Sequence, residues 1–463
     1  MNSFPVLEPA ALRRRSLLGL GAVSALTFTC GGQAWAQSVP TALDGGRLVV
    51  VFLRGAYDGL SAFVPYADPD YYAIRPTIAI ASPDGTAQTA LRLDSTFALH
   101  PALSPLLPLW RQGVLSFVPA AGLPVPNRSH FDAQYQMEIA RTGKTSSAPG
   151  WLNQVAQSDA HPSFATGTSA AVAIGVGEAN PVILGGPAAI KLIARGQAAE
   201  RTGILSNGST RQALLDLYAG NDSLSQAFRQ GAGSRLQSAQ ELRADKMAAE
   251  PNQGMAVQKD MRIATRKLDV DGTPANAQAR SAQMLAASNG AADPMGLQLD
   301  AQHLGTLMRN ERTLRLGFLS AGGWDTHANQ GAATGQLANN LGNLGRGIAQ
   351  LRQDFSRPGD VIVVMSEFGR TSHENGTRGT DHGFGNAMWL IGNRVNGGRW
   401  HGEWTGLARG NLNEGRDLPA HHDYRALLAQ VLRATFALDD AGLNRILPEA
   451  PWDRRLDGLL KKA

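Results

Sequence analysis

The sequence predicts an α/β protein with a mostly parallel central sheet between helices. Continuous apolar runs at positions 48–53 and 361–365 are typical of central strands that are covered on both faces. Apolar residues at 337–355 recur at steps of three and four, which predicts an amphipathic helix between two such strands. Polar, glycine-containing loops follow the apolar runs, as they do where ligands bind at the carboxyl ends of parallel strands.

The composition is that of an ordinary globular protein. The chain has 463 residues, of which 43% are apolar and 17% are charged, so it can bury a large core. Its formal net charge of +5 falls to +3 when the predicted signal, with three arginines and one glutamate, is removed. Such a small charge, without a run of one sign, excludes the electrostatic footprint of a nucleic-acid-binding or membrane-surface protein.

Residues 1–36 predict a signal peptide of the twin-arginine type. The arginines at 13–15 precede an apolar stretch at 17–28, and small residues at 34 and 36 suit a cleavage site. The apolar stretch is shorter than the ~20 residues that span a bilayer, so we expect no stable membrane span. We expect a periplasmic or secreted protein that starts near Gln37 and uses the twin-arginine export machinery. A plain secretory signal is the alternative.

Cys30 is the only cysteine of the chain and would leave with the signal. The mature protein would then have neither disulfides nor thiol chemistry. A lipidated Cys30 is the weaker alternative, because Phe28 and Thr29 stand where small residues usually precede such a cysteine.

The first predicted strand, at 48–53, ends in Arg54, and Asp58 follows within a loop that contains two glycines. Both side chains could face a site at the carboxyl end of this strand. A solvated loop with a structural arginine–aspartate pair is the other interpretation.

Ser129 stands immediately before a predicted helix at 132–141, which follows a predicted strand at 114–118. Its hydroxyl could cap the helix by accepting from free backbone N–H groups. The same position would aim a nucleophilic oxygen into a site at the positive end of the helix.

Short strands are predicted at 172–176 and 182–184. Between about 205 and 312 the composition shifts to alanine, glutamine, arginine and leucine, and 248–294 is poor in large apolar residues. We interpret this segment as a helical insertion that could form a mobile cap over the site.

Polar clusters recur around the later apolar runs at 314–319, 361–365 and 388–391. Their candidate site residues are Asp325, His327, Glu367, Arg370, Asp381 and His382. Carboxylate and imidazole ligands suit zinc or a similar divalent ion. An isolated Asp-His pair is more often a hydrogen-bonded turn, but three such clusters beside glycines favour a shared functional site.

The roles of Glu367 and Arg370 can be interpreted in several ways. Glu367 could be a metal ligand, a general base or a helix-capping acid, and Arg370 could hold an anion or pair with Glu367. Three further histidines, at positions 373, 421 and 422, have no assigned partner, and a surface loop is their default position.

Four strings carry a family resemblance: LRGAYDGLS, GLPVPNRSHF, GGWDTHANQ and SEFGRTSHENGTRGTDHGFGNAMWLIG. With them the chain resembles the bacterial domain-of-unknown-function family 1501 over nearly the whole mature sequence. The resemblance implies a relationship to the alkaline phosphatase-like superfamily of phosphatases, sulfatases and phosphoglycerate mutases. That superfamily has a mostly parallel sheet between helices, metal ligands at strand ends and a nucleophile at a helix start.

Carried over to this sequence, the resemblance gives Ser129 the nucleophile's place and makes Asp325, His327 and His382 the ligands of one metal ion. The second metal site departs from the pattern. Its first-strand aspartate is Arg54 here, unless Asp58 substitutes, and its later Asp-His pair is Glu367-Phe368. These changes should weaken a second cation by charge alone.

The sequence therefore predicts an exported hydrolase of small-molecule or glycan esters of phosphate or sulfate, with one divalent metal ion. Arg54 or Arg370 would take over part of the missing cation's role. The alternative is a catalytically impaired member of the family that binds an envelope glycan or protein.

Overall fold

A computed structural model describes residues 45–143, 148–159, 171–249 and 274–461 of the chain. The predicted signal peptide, Cys30 and the expected mature start at Gln37 lie outside the described residues. So does the middle of the predicted insertion, at 250–273.

The described chain forms two sheets. The strands are β1 (Leu48–Leu53), β2 (Phe63–Val64), β3 (Leu91–Arg92), β4 (Ala98–Leu99), β5 (Leu115–Gly122), β6 (Ala173–Val176), β7 (Ile190–Ile193), β8 (Leu316–Ala321), β9 (Val361–Ser366), β10 (Asn386–Ile391) and β11 (His422–Asp423). The large sheet has the order β11-β5-β10-β9-β1-β8-β6-β7, and the small one has the order β2-β4-β3.

Helices cover both faces of the large sheet. They are α1 (Gly59–Ala62), α2 (Pro69–Ile74), α3 (Leu107–Arg111), α4 (His130–Ile139), α5 (Trp151–Ser158), α6 (Gly208–Leu217), α7 (Ser223–Ala249), α8 (Pro274–Ala287), α9 (Leu297–Asn310), α10 (Gln336–Asp354), α11 (Tyr424–Phe436) and α12 (Asp440–Ile446). None of the described helices is long and apolar enough to cross a membrane.

The large sheet is mostly parallel, which confirms the predicted fold class. β1 lies between β8 and β9 and is parallel to both, whereas β10 is antiparallel to its neighbours β9 and β5. Side chains of a strand alternate between the two faces. Val49 and Val51 accordingly pack into a core with α9 and α10, and Val50 and Phe52 into a second core with α4, α5 and α11.

Most predicted strands are confirmed, with shifts at their ends. The strand at 48–53 has the predicted bounds, and the one predicted at 114–118 continues to Gly122. The strand predicted at 182–184 is wrong, because Val182–Leu184 forms a 3-10 helix between Pro181 and Gly185. The neighbouring strand β7 was not predicted, because the charged residue Lys191 takes one of its buried positions and Leu192 an exposed one.

The described part of the segment at 205–312 consists of helices α6 to α9 joined by turns, with no described strand. Its helices differ in how they pack. α6 buries none of its residues, whereas α9 buries most of its length beside α10. α9 is therefore part of the layer that covers the large sheet.

Candidate metal centre

The polar residues of interest meet at one edge of the large sheet. β1, β5, β8 and β9 all run toward this edge, so the loops after them open on the same side. β10 runs the opposite way, and the loop before it therefore opens there too. In this way His130, Asp325, Glu367 and His382 come together from four separate segments.

Three of these side chains form a group that could hold a metal ion. The ligand atoms of His130, Asp325 and His382 all lie within 4.8 Å of one another. Asp325 Oδ1 lies 3.1 Å from His382 Nε2 and 3.4 Å from His130 Nε2, and the two Nε2 atoms are 2.9 Å apart. A tetrahedral zinc ion with bonds of about 2 Å would separate its ligand atoms by roughly 3.3 Å. The spacing therefore fits such an ion.

His327 lies at the solvent side of this group. Its Nε2 atom is 2.9 Å from Asp325 Oδ1 and 3.0 Å from His382 Nε2, and its side chain is 31% exposed. Asp381, predicted as a ligand, lies behind His327 and accepts its Nδ1–H at 2.9 Å. Burial raises the pKa of Asp381, but the hydrogen bond from His327 outweighs it, so this pKa is below its usual range.

Each histidine of the cluster is oriented by an acceptor at its Nδ1 atom. The pairs are His130 with Glu367 Oε1 (2.8 Å), His382 with the carbonyl of Arg128 (2.8 Å) and His327 with Asp381 Oδ1 (2.9 Å). Carbonyl and carboxylate oxygens only accept, so the proton of each neutral ring lies on Nδ1. Three Nε2 lone pairs are then directed toward Asp325. Such a convergence is unfavourable unless a cation lies among these atoms.

The electrostatics of the group also favour a cation. Burial lowers the pKa of His130, but hydrogen bonds with Asp325 and Glu367 outweigh it and raise this pKa to about 9. Burial raises the pKa of Asp325, yet its contacts with the three histidines and the charge of Arg370 hold this pKa far below its usual range. Both shifts favour a positive charge among these side chains.

Glu367 is fully buried behind His130. Its Oε1 atom accepts from the Nδ1–H of His130, from the backbone N–H of Gly55 at 2.8 Å and from Gln134 Nε2 at 2.9 Å. Burial raises its pKa, but the hydrogen bond from His130 outweighs this effect, and the pKa is lowered. Glu367 is therefore not one of the three side chains that could hold the metal ion. It lies behind one of them and accepts a hydrogen bond from His130.

Arg370 is buried against the cluster. Its Nη1 atom donates to Asp325 Oδ1 at 2.7 Å, its Nε donates to Thr380 Oγ1 at 3.2 Å, and its Nη2 donates to the carbonyl of Thr380. The pairing with Glu367 that the sequence allowed is therefore replaced by a pairing with Asp325.

Asp58 lies away from the group, at the end of a buried hydrogen-bond chain. Its carboxylate is paired with Arg75 at 2.6 Å and accepts from Gln330 Nε2 at 2.7 Å. Gln330 accepts from Thr380, which in turn accepts from Arg370. Burial raises the pKa of Asp58, but the charge of Arg75 outweighs it and the pKa is lowered. Asp58 is thus linked to the cluster through intervening side chains and is not a member of the group.

Arg54 is enclosed by acceptors on the other side of β1. Its five N–H groups donate to the carboxylates of Glu138 and Glu178 and to Gln134 Oε1, at 2.7 to 3.3 Å. Its side chain is fully buried. An anion could bind Arg54 only by displacing one of these partners.

Ser129 is the N-cap residue of α4 and lies beside the cluster. Its Oγ atom accepts from the backbone N–H of Asp132 at 3.4 Å. Its two chain neighbours both touch the cluster: Arg128 through its carbonyl and His130 through its ring. Ser129 thus caps α4, as one interpretation of the sequence predicted, and it also lies next to the candidate metal ligands, as the other required.

His130 is the site residue that sequence reasoning missed. It was visible beside Ser129 at a predicted helix start, but its partners lie 237 and 252 positions away. Two of the unassigned histidines have partners elsewhere: His422 pairs with Asp453 at 2.6 Å and His421 lies 3.3 Å from Thr405.

The fold and the cluster define an α/β protein with a candidate metal centre at the carboxyl edge of its main sheet. The chain belongs to a family of proteins of unknown function, DUF1501, whose model matches residues 46–447. No curated protein matches the chain.

Proposed function

We propose that the protein is an exported hydrolase of phosphate or sulfate esters that uses Ser129 as its nucleophile and one divalent metal ion. The observation that carries this proposal is the convergence of three Nε2 lone pairs on Asp325, each ring fixed at Nδ1. His130, Asp325 and His382 would hold the ion, with His327 as a fourth ligand. The ion would supply stabilisation of negative charge on the ester group.

The position of Ser129 supports hydrolysis through a covalent intermediate. The hydroxyl lies at the positive end of α4, where a developing anion is stabilised, and next to two residues that contact the cluster. Its Oγ atom would form a bond to phosphorus or sulfur as the bond to the alcohol oxygen breaks, and the leaving alcohol would take up the proton that the Ser129 hydroxyl gives up. Water would then cleave the Ser129 ester, which returns a proton to Ser129 Oγ and releases phosphate or sulfate.

The test is turnover of 4-nitrophenyl phosphate and 4-nitrophenyl sulfate by the zinc-loaded mature chain. We expect Ser129→Asn to lower kcat by about a thousandfold or more, because asparagine keeps a good helix cap but has no nucleophilic hydroxyl. Ser209→Ala, at an exposed serine near the start of α6, is the control and should keep full activity.

Turnover that survives in Ser129→Asn would exclude Ser129 as the nucleophile. Complete inactivity of the zinc-loaded wild type toward both esters would refute the hydrolase.

A second candidate function is a catalytically impaired module that binds an envelope glycan or protein. The ion pairs of Arg54 with Glu138 and Glu178 favour this alternative. They fill the end of β1, where the family resemblance leads us to expect a carboxylate that binds a second cation. Metal binding without turnover, together with retention of the protein by immobilised envelope glycan, would support this alternative.

A further inference from the structure

Two partly exposed arginines flank His382 at the solvent side of the candidate metal centre. The carbonyl of Arg128 accepts the Nδ1–H of His382 at 2.8 Å, and Arg416 Nη2 donates to the carbonyl of His382 at 3.2 Å. The side chains of Arg128 and Arg416 are 35% and 39% exposed. Both guanidinium groups are therefore partly open to solvent, close to the backbone of His382.

A buried carboxylate fixes both arginines. Asp417, whose side chain is fully buried, accepts at Oδ2 from Arg128 Nη2 and from Arg416 Nη2, each at 2.8 Å. Because both bonds end on one oxygen, the two guanidinium groups lie side by side. A planar guanidinium that is already held in place loses less freedom when it binds a ligand.

Each of the two arginines keeps donors that no described protein group accepts. Within the described residues, the Nη1 atoms of Arg128 and Arg416 make no hydrogen bond, and they are not among the buried atoms that lack a partner. The two side chains are 35% and 39% exposed. Their Nη1 donors are therefore open to an acceptor that comes from outside the chain.

Arg54 and Arg370, the two arginines predicted from the sequence as site residues, differ from Arg128 and Arg416 in this respect. Arg54 uses all five of its N–H groups on protein acceptors, and Arg370 is buried against Asp325 and Thr380. Neither offers a free edge to an incoming anion. Among these four arginines, Arg128 and Arg416 combine unused donors with a partly exposed side chain.

We infer that Arg128 and Arg416 bind a tetrahedral oxyanion, the phosphate or sulfate group of the ester substrate. The inference rests on the proposed function and gives it the residues that recognise the anion. Guanidinium groups bind such oxyanions through paired N–H donors. The two arginines and Asp417 have a net charge of +1, and Glu414, which is 64% exposed and pairs with Arg128 Nη2 at 2.9 Å, brings it to zero. An incoming oxyanion would therefore displace Glu414 from Arg128.

The test is the affinity of the zinc-loaded mature chain for inorganic phosphate and for sulfate, measured by calorimetry. We expect Arg416→Gln to weaken binding of both anions by about tenfold or more and Arg416→Lys to restore part of the affinity. Glu414→Gln should strengthen binding severalfold, because it frees Arg128 from a competing acceptor. Arg409→Gln, at an exposed arginine of the same segment, is the charge-matched control.

Unchanged anion affinity in Arg416→Gln at unchanged zinc content would overturn the inference, even if ester turnover is found. Arginine-dependent anion binding without any ester turnover would refute the proposed hydrolysis and leave the oxyanion site standing. If Arg416→Gln does not fold, Glu414→Gln decides: tighter phosphate binding supports the site, and unchanged binding overturns it.

Discussion

At the scale of single residues, the centre depends on the acceptors behind its histidines. Glu367 is the most buried of them and fixes His130 while it also accepts from Gly55 and Gln134. Such outer partners set the tautomer and the basicity of a ligating imidazole. The chemistry of the cluster therefore includes residues that do not touch its centre.

Replacing Glu367 should weaken metal binding without removing a ligand. Glu367→Gln keeps the size of the side chain and loses its charge, and we expect zinc affinity to fall by about 10- to 100-fold. Competition with a chromophoric chelator measures this affinity. Glu403→Gln removes a partly exposed carboxylate that pairs with Arg455, and it should leave the affinity unchanged. Equal affinities in the two variants would contradict the orienting role of Glu367.

At the scale of elements, the loop before β10 places His382 by passing very close to other backbone segments. A Cβ atom at Gly383 would overlap the carbonyl of Arg370, and one at Gly385 would overlap the carbonyl of Pro419. Only glycine permits so close an approach of two backbones. The position of His382 is therefore fixed from both sides of the loop.

Adding a methyl group to this loop should disturb the centre. We expect Gly383→Ala to destabilise the fold by about 1–3 kcal/mol, as overpacking does elsewhere, and to lower zinc affinity by displacing His382. Gly376→Ala is the matched control, because a Cβ there meets no atom within 4 Å. Thermal unfolding and zinc titration of both variants check this expectation. A Gly383→Ala protein that matches Gly376→Ala in both measurements would show that the loop is not tightly held.

Sequence patterns predict some of these elements better than others. The strands β1 and β9 were predictable because uninterrupted apolar runs mark strands buried on both faces. The reversed direction of β10 was not predictable, since a strand buried on both faces has the same apolar pattern in either direction. Asp325, His327 and His382 were found from their loops. His130 was not found, because it meets Asp325 and His382 only through contacts between distant parts of the chain, 252 positions apart in the case of His382.

At the scale of the whole molecule, a buried neutral histidine ties stability to pH. His100 accepts from the backbone N–H of Ala102 at Nδ1, at 3.0 Å, and its Nε2 atom donates to the carbonyl of Ala332 at 3.1 Å. Burial lowers its pKa to about 4. The folded state thus resists protonation that the unfolded chain accepts at an ordinary pKa near 6.5.

The contribution of His100 should be complete above pH 6.5 and be lost as the pH falls from 6.5 toward 4. Between pH 7 and pH 4.5 we expect the wild type to lose about 2 kcal/mol more unfolding free energy than His100→Asn, which keeps a capping oxygen but does not titrate. Denaturant unfolding of both proteins at the two pH values measures the difference. An equal loss in both would show that His100 does not control this response.

The distance along the chain between His130 and His382, 252 positions, also bears on where the proposed metal ion would be acquired. Their side chains meet only after β5, β8, β9 and β10 have joined one sheet, so a nascent or partly translocated chain offers no complete binding site. If export follows the twin-arginine route predicted from the sequence, folding ends in the cytoplasm. The metal would then be drawn from the cytoplasmic pool. Its identity would be decided by the supply in that compartment as well as by the preference of the ligands.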